Sequence, residues 1–462
     1  MEIIAQKMGQ TIPAGEAVIG FVVLDKSIFA VLSAFADAKT AETLVRAVKD
    51  EGYQGKENQT LLLPTLGRLP TRRVLLVGLG EAREINLERL RRAAAAIARQ
   101  ASEHRITSAT TFLPIVRGIT PRRAAKAMTE GLLLGDYRFE KFKEQKKSRK
   151  ESRLKTLIFQ GTGGGWMAQV ERGIAEGRLA AEAVIAARDL VNEPAMHMTP
   201  ARLITHAECL VKDSKGKIKL KVFDKVGLKA MGAGGILGVA MGSDHPPYLA
   251  HLIWKPAGAK RKIALVGKAI TFDSGGLSLK PSEGMMTMKC DMAGAAVVLG
   301  VFSALTKLQP KVEVHGIFAA CENMPSGKAI RPGDVVATMG GKTIEILNTD
   351  AEGRVTLADS LHYATRLKPD IIIDLATLTG ACVVALGEDI AGLMSTNEWL
   401  EDKLEDASQR AGESFWRLPL PSSYREHIVS RVADVKNIGH KWGGALTAGL
   451  FLKEFVGSIP WA

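Results

Sequence analysis

A chain of 462 residues that is 46% hydrophobic and 24% charged can bury a large core and is long enough for two domains. No run of about 18 uninterrupted apolar residues is present, so no membrane span or membrane partner is expected. The net charge of +13 is unevenly placed: residues 1–160 hold 28 Lys and Arg against 17 Asp and Glu, which leaves little surplus for the rest.

The N-terminal stretch Met1-Glu2-Ile3-Ile4-Ala5-Gln6-Lys7 lacks the basic and apolar regions of a secretory leader. Apolar runs at 17–24, 73–78 and 156–159 read as strands, separated by Ala-rich helical patterns, and predict an α/β domain over 1–160. Gly78-Leu79-Gly80 follows a strand, but Arg83 occupies the third glycine position of a nucleotide fingerprint, so the pair reads as a turn. Arg89, Arg91, Arg92 and Arg99 are helix-spaced, and residues 141–150 form a dense basic run. Such a run is a solvated loop or a salt-sensitive polyanion site, which makes DNA a candidate partner of this domain.

Gly161-Thr162-Gly163-Gly164-Gly165 punctuates the chain, and residues 167–191 form a proline-free helical stretch of roughly 37 Å that ends at Asn192-Glu193-Pro194. Residues 161–195 therefore read as a linker and connecting helix. From 196 to 462 strands at 217–222, 248–254, 262–266, 312–319 and 371–375 alternate with helices, predicting a mixed, largely parallel sheet covered on both faces. Cys209, Cys290, Cys321 and Cys382 show no C-x-x-C spacing and sit among apolar neighbours, the pattern of a reduced, cytoplasmic protein with structural thiols. None of the nine histidines lies in an H-E-x-x-H or H-x-H pattern, which excludes the histidine-based zinc proteases and leaves His197, His251 and His315 with structural roles.

Two polar clusters stand out in this second half. Lys268 follows the apolar strand 263–266, Asp273 is bracketed by Phe272 and a Gly-Gly pair, Lys280 follows, and Asp291 opens an Ala/Gly/Val-rich helix. Downstream, Asn348-Thr349-Asp350-Ala351-Glu352-Gly353-Arg354 places two carboxylates two residues apart, on a loop that turns at Gly353 into a helix beginning near Val355. Taken alone, D-x-E-G is better explained by a solvated acidic turn, and Lys268 is equally well explained by a salt bridge. Carboxylates in apolar surroundings are costly unless paired or bound to a cation, and the two clusters together favour a metal site.

The order and content of these blocks resemble the leucyl (cytosol) aminopeptidase family. The resemblance begins at 189–194, includes 267–281, 322–334, the intact N-T-D-A-E-G-R at 348–354 and 374–381, and reaches 443–452. It implies a small macro-like N-terminal α/β domain joined by a long helix to a catalytic α/β domain with a mixed central sheet. It implies two divalent metal ions, Mn²⁺ or Zn²⁺ with Mg²⁺ or Co²⁺ as alternatives, bridged by Asp273 and Glu352. Lys268 and Asp291 would complete one metal site and Asp350 the more exchangeable one. Lys280 would stabilise the oxyanion, Arg354 would hold a bicarbonate that carries a proton, and Met288, Asn348, Thr377 and Gly380 would line the pocket for a leucine-like first residue. The family also implies peptide substrates, a homohexamer and, in bacterial members, secondary DNA binding. Met286-Thr287 departs from the acidic pair often found there. The family pattern continues past Trp461-Ala462, so the catalytic domain is expected to be cut short at its C-terminal end.

Overall fold

The computed structural model describes residues 1–8, 15–24, 26–144 and 153–462. Most of the basic run, residues 145–150, lies outside the described residues. The chain divides into two compact units, Met1–Ile185 and Ala186–Ala462.

The first unit is a six-stranded sheet. Its strands β1 (Glu2–Lys7), β2 (Gly15–Val23), β3 (Thr60–Pro64), β4 (Thr71–Gly80), β5 (Ser108–Phe112) and β6 (Thr156–Gly161) lie in the order β1-β6-β5-β2-β4-β3. All neighbours are parallel except β3 and β4. Strand alternation sorts its side chains to two cores. Val18, Val22, Val74 and Leu76 pack against helices α1 (Ile28–Leu32) and α2 (Ala38–Asp50). Ile19, Leu75 and Val77 pack against α3 (Leu87–Glu103) and α4 (Pro121–Gly135). Asn86 caps α3 and Thr120 caps α4, each accepting a main-chain N–H three residues on, with Pro121 in the first turn. Gly78 and Gly80 end β4 rather than forming a ligand cradle, and a Cβ on Gly78 would lie 2.0 Å from the Lys56 carbonyl. Three of the four helix-spaced arginines make ion pairs within the unit: Arg89 pairs with Glu57 and Glu84, Arg91 with Glu88 and Glu130, and Arg92 with Glu88. The helix α5 runs over Trp166–Asn192.

The second unit is built on a five-stranded mixed sheet. In chain order its elements are α6 (Pro200–Asp213), β7 (Ile218–Phe223), α7 (Lys225–Ala230), α8 (Gly234–Val239), β8 (Tyr248–Trp254), β9 (Lys262–Asp273), α9 (Ser282–Met285), α10 (Ala293–Leu308), β10 (Glu313–Asn323), β11 (Val335–Ala337), β12 (Thr343–Glu345), α11 (Glu352–Arg366), β13 (Ile371–Leu375) and α12 (Gly380–Leu386), followed by a helix over Gly444–Lys453. The sheet order is β13-β9-β10-β8-β7, parallel across β13, β9 and β10 and antiparallel beyond. One face packs on α11, α8 and the Gly444–Lys453 helix through Val266, Ile270, Ile317 and Cys321, and the other on α6 and α10 through Ala250, Leu252, Ala269, Phe318 and Ala320. The stretch Ser282–Leu308 is long and apolar enough by length and composition to cross a membrane. In the fold it is broken by a 3-10 turn at Met288–Cys290, and the apolar residues of α10 are buried against the sheet. Among the thiols, Cys321 is buried, but Cys209 is exposed on α6, so that thiol has no packing role.

His251 and His315 are structural, and they form a directional chain. The Glu313 carboxylate can only accept, so His315 donates to it from Nε2 at 3.0 Å, leaving His315 Nδ1 to accept from His251 Nε2 at 2.8 Å and His251 Nδ1 to accept the Tyr363 hydroxyl at 3.0 Å. Burial, with His315 and Lys221 adding, pushes His251 down to about 3 from an ordinary 6.5. Below pH 6.5 the unfolded chain thus takes up a proton that the fold refuses, and stability falls as pH drops, by about 1.4 kcal/mol per pH unit. His251→Gln, which can still donate to His315 and accept from Tyr363, is expected to flatten the fall in urea-unfolding free energy between pH 6 and pH 5. Equal slopes for parent and variant would rule this out.

Candidate metal centre and active site

The site is assembled by strand arithmetic. Lys268 shares parity with Val266 and Ile270 on β9, so its side chain enters the face covered by α11. Asp273, five residues on, would point to the opposite face of a regular strand. However, Ile270 pairs with Cys321 and Asp273 with Asn323, so β9 advances three residues where β10 advances two. This irregularity turns Asp273 back to the side of Lys268. β9 continues to Asp273 instead of ending near Val266, as its apolar run suggests, because Lys268, Thr271 and Asp273 are inward polar residues.

The D-x-E pair also differs from expectation. Asp350 is on the loop, but Glu352 is the first residue of α11. Gly353 makes no turn. It makes room, since a Cβ there would lie 2.2 Å from Lys268 Cε and 2.6 Å from Nζ. Asp291 precedes α10 rather than opening it, and its carbonyl accepts the Ile270 N–H at 3.2 Å, which fixes it beside β9.

These elements bring together every residue expected to ligate metal. Lys268 Nζ lies 2.7 Å from Asp291 and 2.9 Å from Glu352 Oε1, and donates to the Thr377 carbonyl at 2.8 Å. Lys280 Nζ lies 3.0 Å from Asp273 and 2.5 Å from Asp350. One oxygen each of Asp273, Asp350 and Glu352 falls within 4.8 Å of the others. Neighbouring polar groups orient them. Asp273 Oδ1 accepts the Gly275 N–H and the Asn323 amide, both at 2.8 Å, and Asp291 Oδ1 accepts the Thr377 hydroxyl at 2.8 Å. The Thr349 hydroxyl donates to the Gly275 carbonyl at 2.6 Å and accepts the Ser278 N–H at 2.8 Å, joining the two loops.

Burial governs the electrostatics. Lys268, Asp273, Asp291 and Glu352 are each no more than 4% exposed. Burial pushes Glu352 up to about 8, with Lys268 opposing and Asp273 and Asp291 reinforcing, and it raises Asp291 and Asp350 as well. Burial alone would depress the Lys268 and Lys280 ammoniums, but the facing carboxylates hold both above the ordinary lysine value. Burial also lowers Arg354 to about 10, which still leaves it charged at neutral pH. Asp291 and Glu352 converge on Lys268 and Asp273 and Asp350 on Lys280, and Glu352 Oε2 and Arg354 Nε make no hydrogen bond among the described residues. Hard oxygen donors with an amine beside them, gathered at one largely dry site with an oxygen left unpartnered, fit divalent cations.

Two family models match the chain, the catalytic domain of the cytosol aminopeptidase family over residues 185–462 and its N-terminal domain over residues 18–146. The chain belongs to the cytosol aminopeptidase family. The probable cytosol aminopeptidase of Alkaliphilus metalliredigens is 43% identical over 429 residues, 92% of this chain and 85% of that protein. The one from Aquifex aeolicus is 45% identical over 425 residues, 91% and 84% of the two chains. A mutant of tomato leucine aminopeptidase superposes with a TM-score of 0.89 at 36% identity, covering 100% of this chain and 90% of that one. The bottromycin maturation enzyme BotP in complex with Mn gives a TM-score of 0.84 at 36% identity, with 97% and 91% covered.

The chain is thus an aminopeptidase, a hydrolase with the two-part α/β fold of the family. Around its carboxylates, Met288 starts the 3-10 turn that leads to Asp291, and Gly380 is the first residue of α12. Asn348 caps the loop, its Oδ1 accepting the Asp350 N–H at 2.8 Å, and Thr377 touches both Lys268 and Asp291. Asn323, Thr349 and Asn437 carry no ligand or catalytic pattern of their own, although the first two lie inside the family-like blocks 322–334 and 348–354. Asn437 offered no local signal.

Proposed function

We propose that this aminopeptidase removes leucine-like residues from peptide N-termini using two divalent cations, Mn²⁺ or Zn²⁺, with Mg²⁺ or Co²⁺ as alternatives. The convergence of Asp273, Asp350 and Glu352, one oxygen of each within 4.8 Å of the others, carries this reading. Leucine-like specificity and Mn are supported by the tomato leucine aminopeptidase and by the Mn complex of BotP. Lys268, Asp273, Asp291, Asp350 and Glu352 would hold the cations, whose chemistry is to polarise the peptide carbonyl and acidify a water.

The residues of the chain do the rest. To serve as an amine ligand Lys268 must give up its proton, which frees the Asp291 and Glu352 oxygens it now holds. Lys280 stays protonated between Asp273 and Asp350 and is placed to donate to the oxyanion of the tetrahedral intermediate. Arg354 keeps Nη1 on the Asn437 carbonyl at 2.8 Å and has Nε without a partner, a planar donor set suited to a bicarbonate that moves a proton. Met288, Asn348, Thr377 and Gly380 line the pocket for the first residue. A homohexamer acting on peptides in the cytoplasm completes the reading, in keeping with the cytosolic names of the relatives. DNA binding has no such support, because Arg89, Arg91 and Arg92 are paired within their own unit.

Hydrolysis of leucine p-nitroanilide tests the proposal. Activity should vanish after dialysis against a chelator and return with Mn²⁺ or Zn²⁺, while Lys280→Ala loses about 10²–10³-fold in kcat. Full activity after exhaustive chelation would overturn it.

A further inference from the structure

Asn437 is fully buried and directly follows the short strand Val435–Lys436, which runs parallel to β12. Its main-chain N–H donates to the Glu345 carbonyl at 2.9 Å and extends that ladder by one bond. Its side chain then addresses the loop entering α11. Oδ1 accepts the N–H groups of Leu347 at 2.9 Å and Asn348 at 3.3 Å, and Nδ2 donates to the carbonyls of Asn348 at 2.6 Å and Ala351 at 3.5 Å. Its own carbonyl accepts Arg354 Nη1 at 2.8 Å. An amide offers two donors and an oxygen with two lone pairs, so every polar position of this side chain is engaged with one loop.

We propose that Asn437 is a positioning residue of the active site, a buried amide template that fixes Asp350 and Arg354 relative to one another. The inference rests on the two-metal reading given above. Both the N–H and the carbonyl of Asn348 bond to the Asn437 side chain, the carbonyl also accepting the Ala351 N–H at 3.2 Å, which sets the Asn348 backbone so that its own Oδ1 can hold the Asp350 N–H at 2.8 Å. Asp350 is therefore oriented at one remove, and Arg354 directly. Thr349 anchors the same loop from the other side, through Gly275 and Ser278. Only a side chain that both donates and accepts at this length satisfies the loop. An aspartate would set an oxygen against two carbonyls, and a leucine would take away the acceptor of the Leu347 and Asn348 N–H groups.

Asn437→Asp and Asn437→Ser, in the full chain, separate this role from mere packing. Melting temperature checks folding, equilibrium dialysis reports Mn²⁺ binding without reference to activity, and leucine p-nitroanilide kinetics give kcat and KM. We expect kcat to fall about 100-fold with KM changed less than about threefold, because misplacement by an ångström costs rate more than binding. Affinity for the weaker-bound Mn²⁺ should fall about tenfold, as for other residues that orient ligands. A folded variant with parental kcat and parental Mn²⁺ binding overturns the proposal. Should both variants fail to fold, Asn348→Ala keeps every main-chain bond to Asn437 and breaks only the link to Asp350, and unchanged Mn²⁺ binding there overturns it equally. A parent that neither binds nor needs Mn²⁺ counts against the metal reading itself. A metal-dependent parent with unmoved variants counts against Asn437 alone.

Discussion

Gly353→Ala is expected to inactivate the enzyme and destabilise it, although alanine is the better helix former. Gly353 lies in the first turn of α11, where the exchange would gain up to about 1 kcal/mol from propensity alone. The new Cβ would stand 2.2 Å from Lys268 Cε, so the lysine must move. A free lysine would do so at little cost. This one is 4% exposed and pinned by Asp291, Glu352 and the Thr377 carbonyl. Charge-assisted bonds of that kind contribute about 1.5–3 kcal/mol each, so losing even two outweighs the helix gain. A net loss of about 2–4 kcal/mol is expected from urea unfolding, together with loss of leucine p-nitroanilide hydrolysis. An active variant more stable than the parent would show that Lys268 is not held as described.

Lys268→Met is expected to have a comparable effect for a different reason. The methionine fills most of the volume, but Asp291 and Glu352 lose their shared cation in a buried setting, and breaking such a pair from one side costs about 3–5 kcal/mol. Most of that cost is the carboxylate left behind rather than the contact removed. Pairing the change with Glu352→Gln should therefore recover part of the loss, and the double variant should be more stable than Lys268→Met alone. A double-mutant cycle on unfolding free energies measures this. Strict additivity would mean that the two groups are not coupled, against the 2.9 Å separation.

Much of the architecture was legible because burial leaves a pattern. β8 and β13 occupy the ranges their apolar runs indicate, since both carry core side chains. Legibility fails where function interrupts that pattern. β9 looks short because its second half is polar and inward-facing. The start of α11 is hidden because its N-cap is Ala351, with no side-chain bond, so the usual Ser, Thr, Asp or Asn signal is absent. The site residues themselves were named from the order of the motifs, and the fold brings all five proposed ligands and Lys280 into one cluster. What no local reading could supply is Asn437, which acts on residues 83 to 90 positions away. The arginines of α3 show the converse limit of a local reading. Helix spacing marks a charged face, but only the fold reveals that Glu57, Glu84, Glu88 and Glu130 pair with Arg89, Arg91 and Arg92.

The uneven step between β9 and β10 also determines how this enzyme can change. Lys268 and Asp273 meet because one surplus residue reverses which way the later side chain faces. The count of residues between them is therefore under stricter constraint than their identity. Ala269 and Ile270 can be exchanged for other apolar side chains within the limits of packing, whereas inserting or deleting a single residue would send the aspartate to the far side of the sheet. Drift in this family should accordingly appear as substitution within a segment of fixed length, with insertions confined to loops that no ligand depends on.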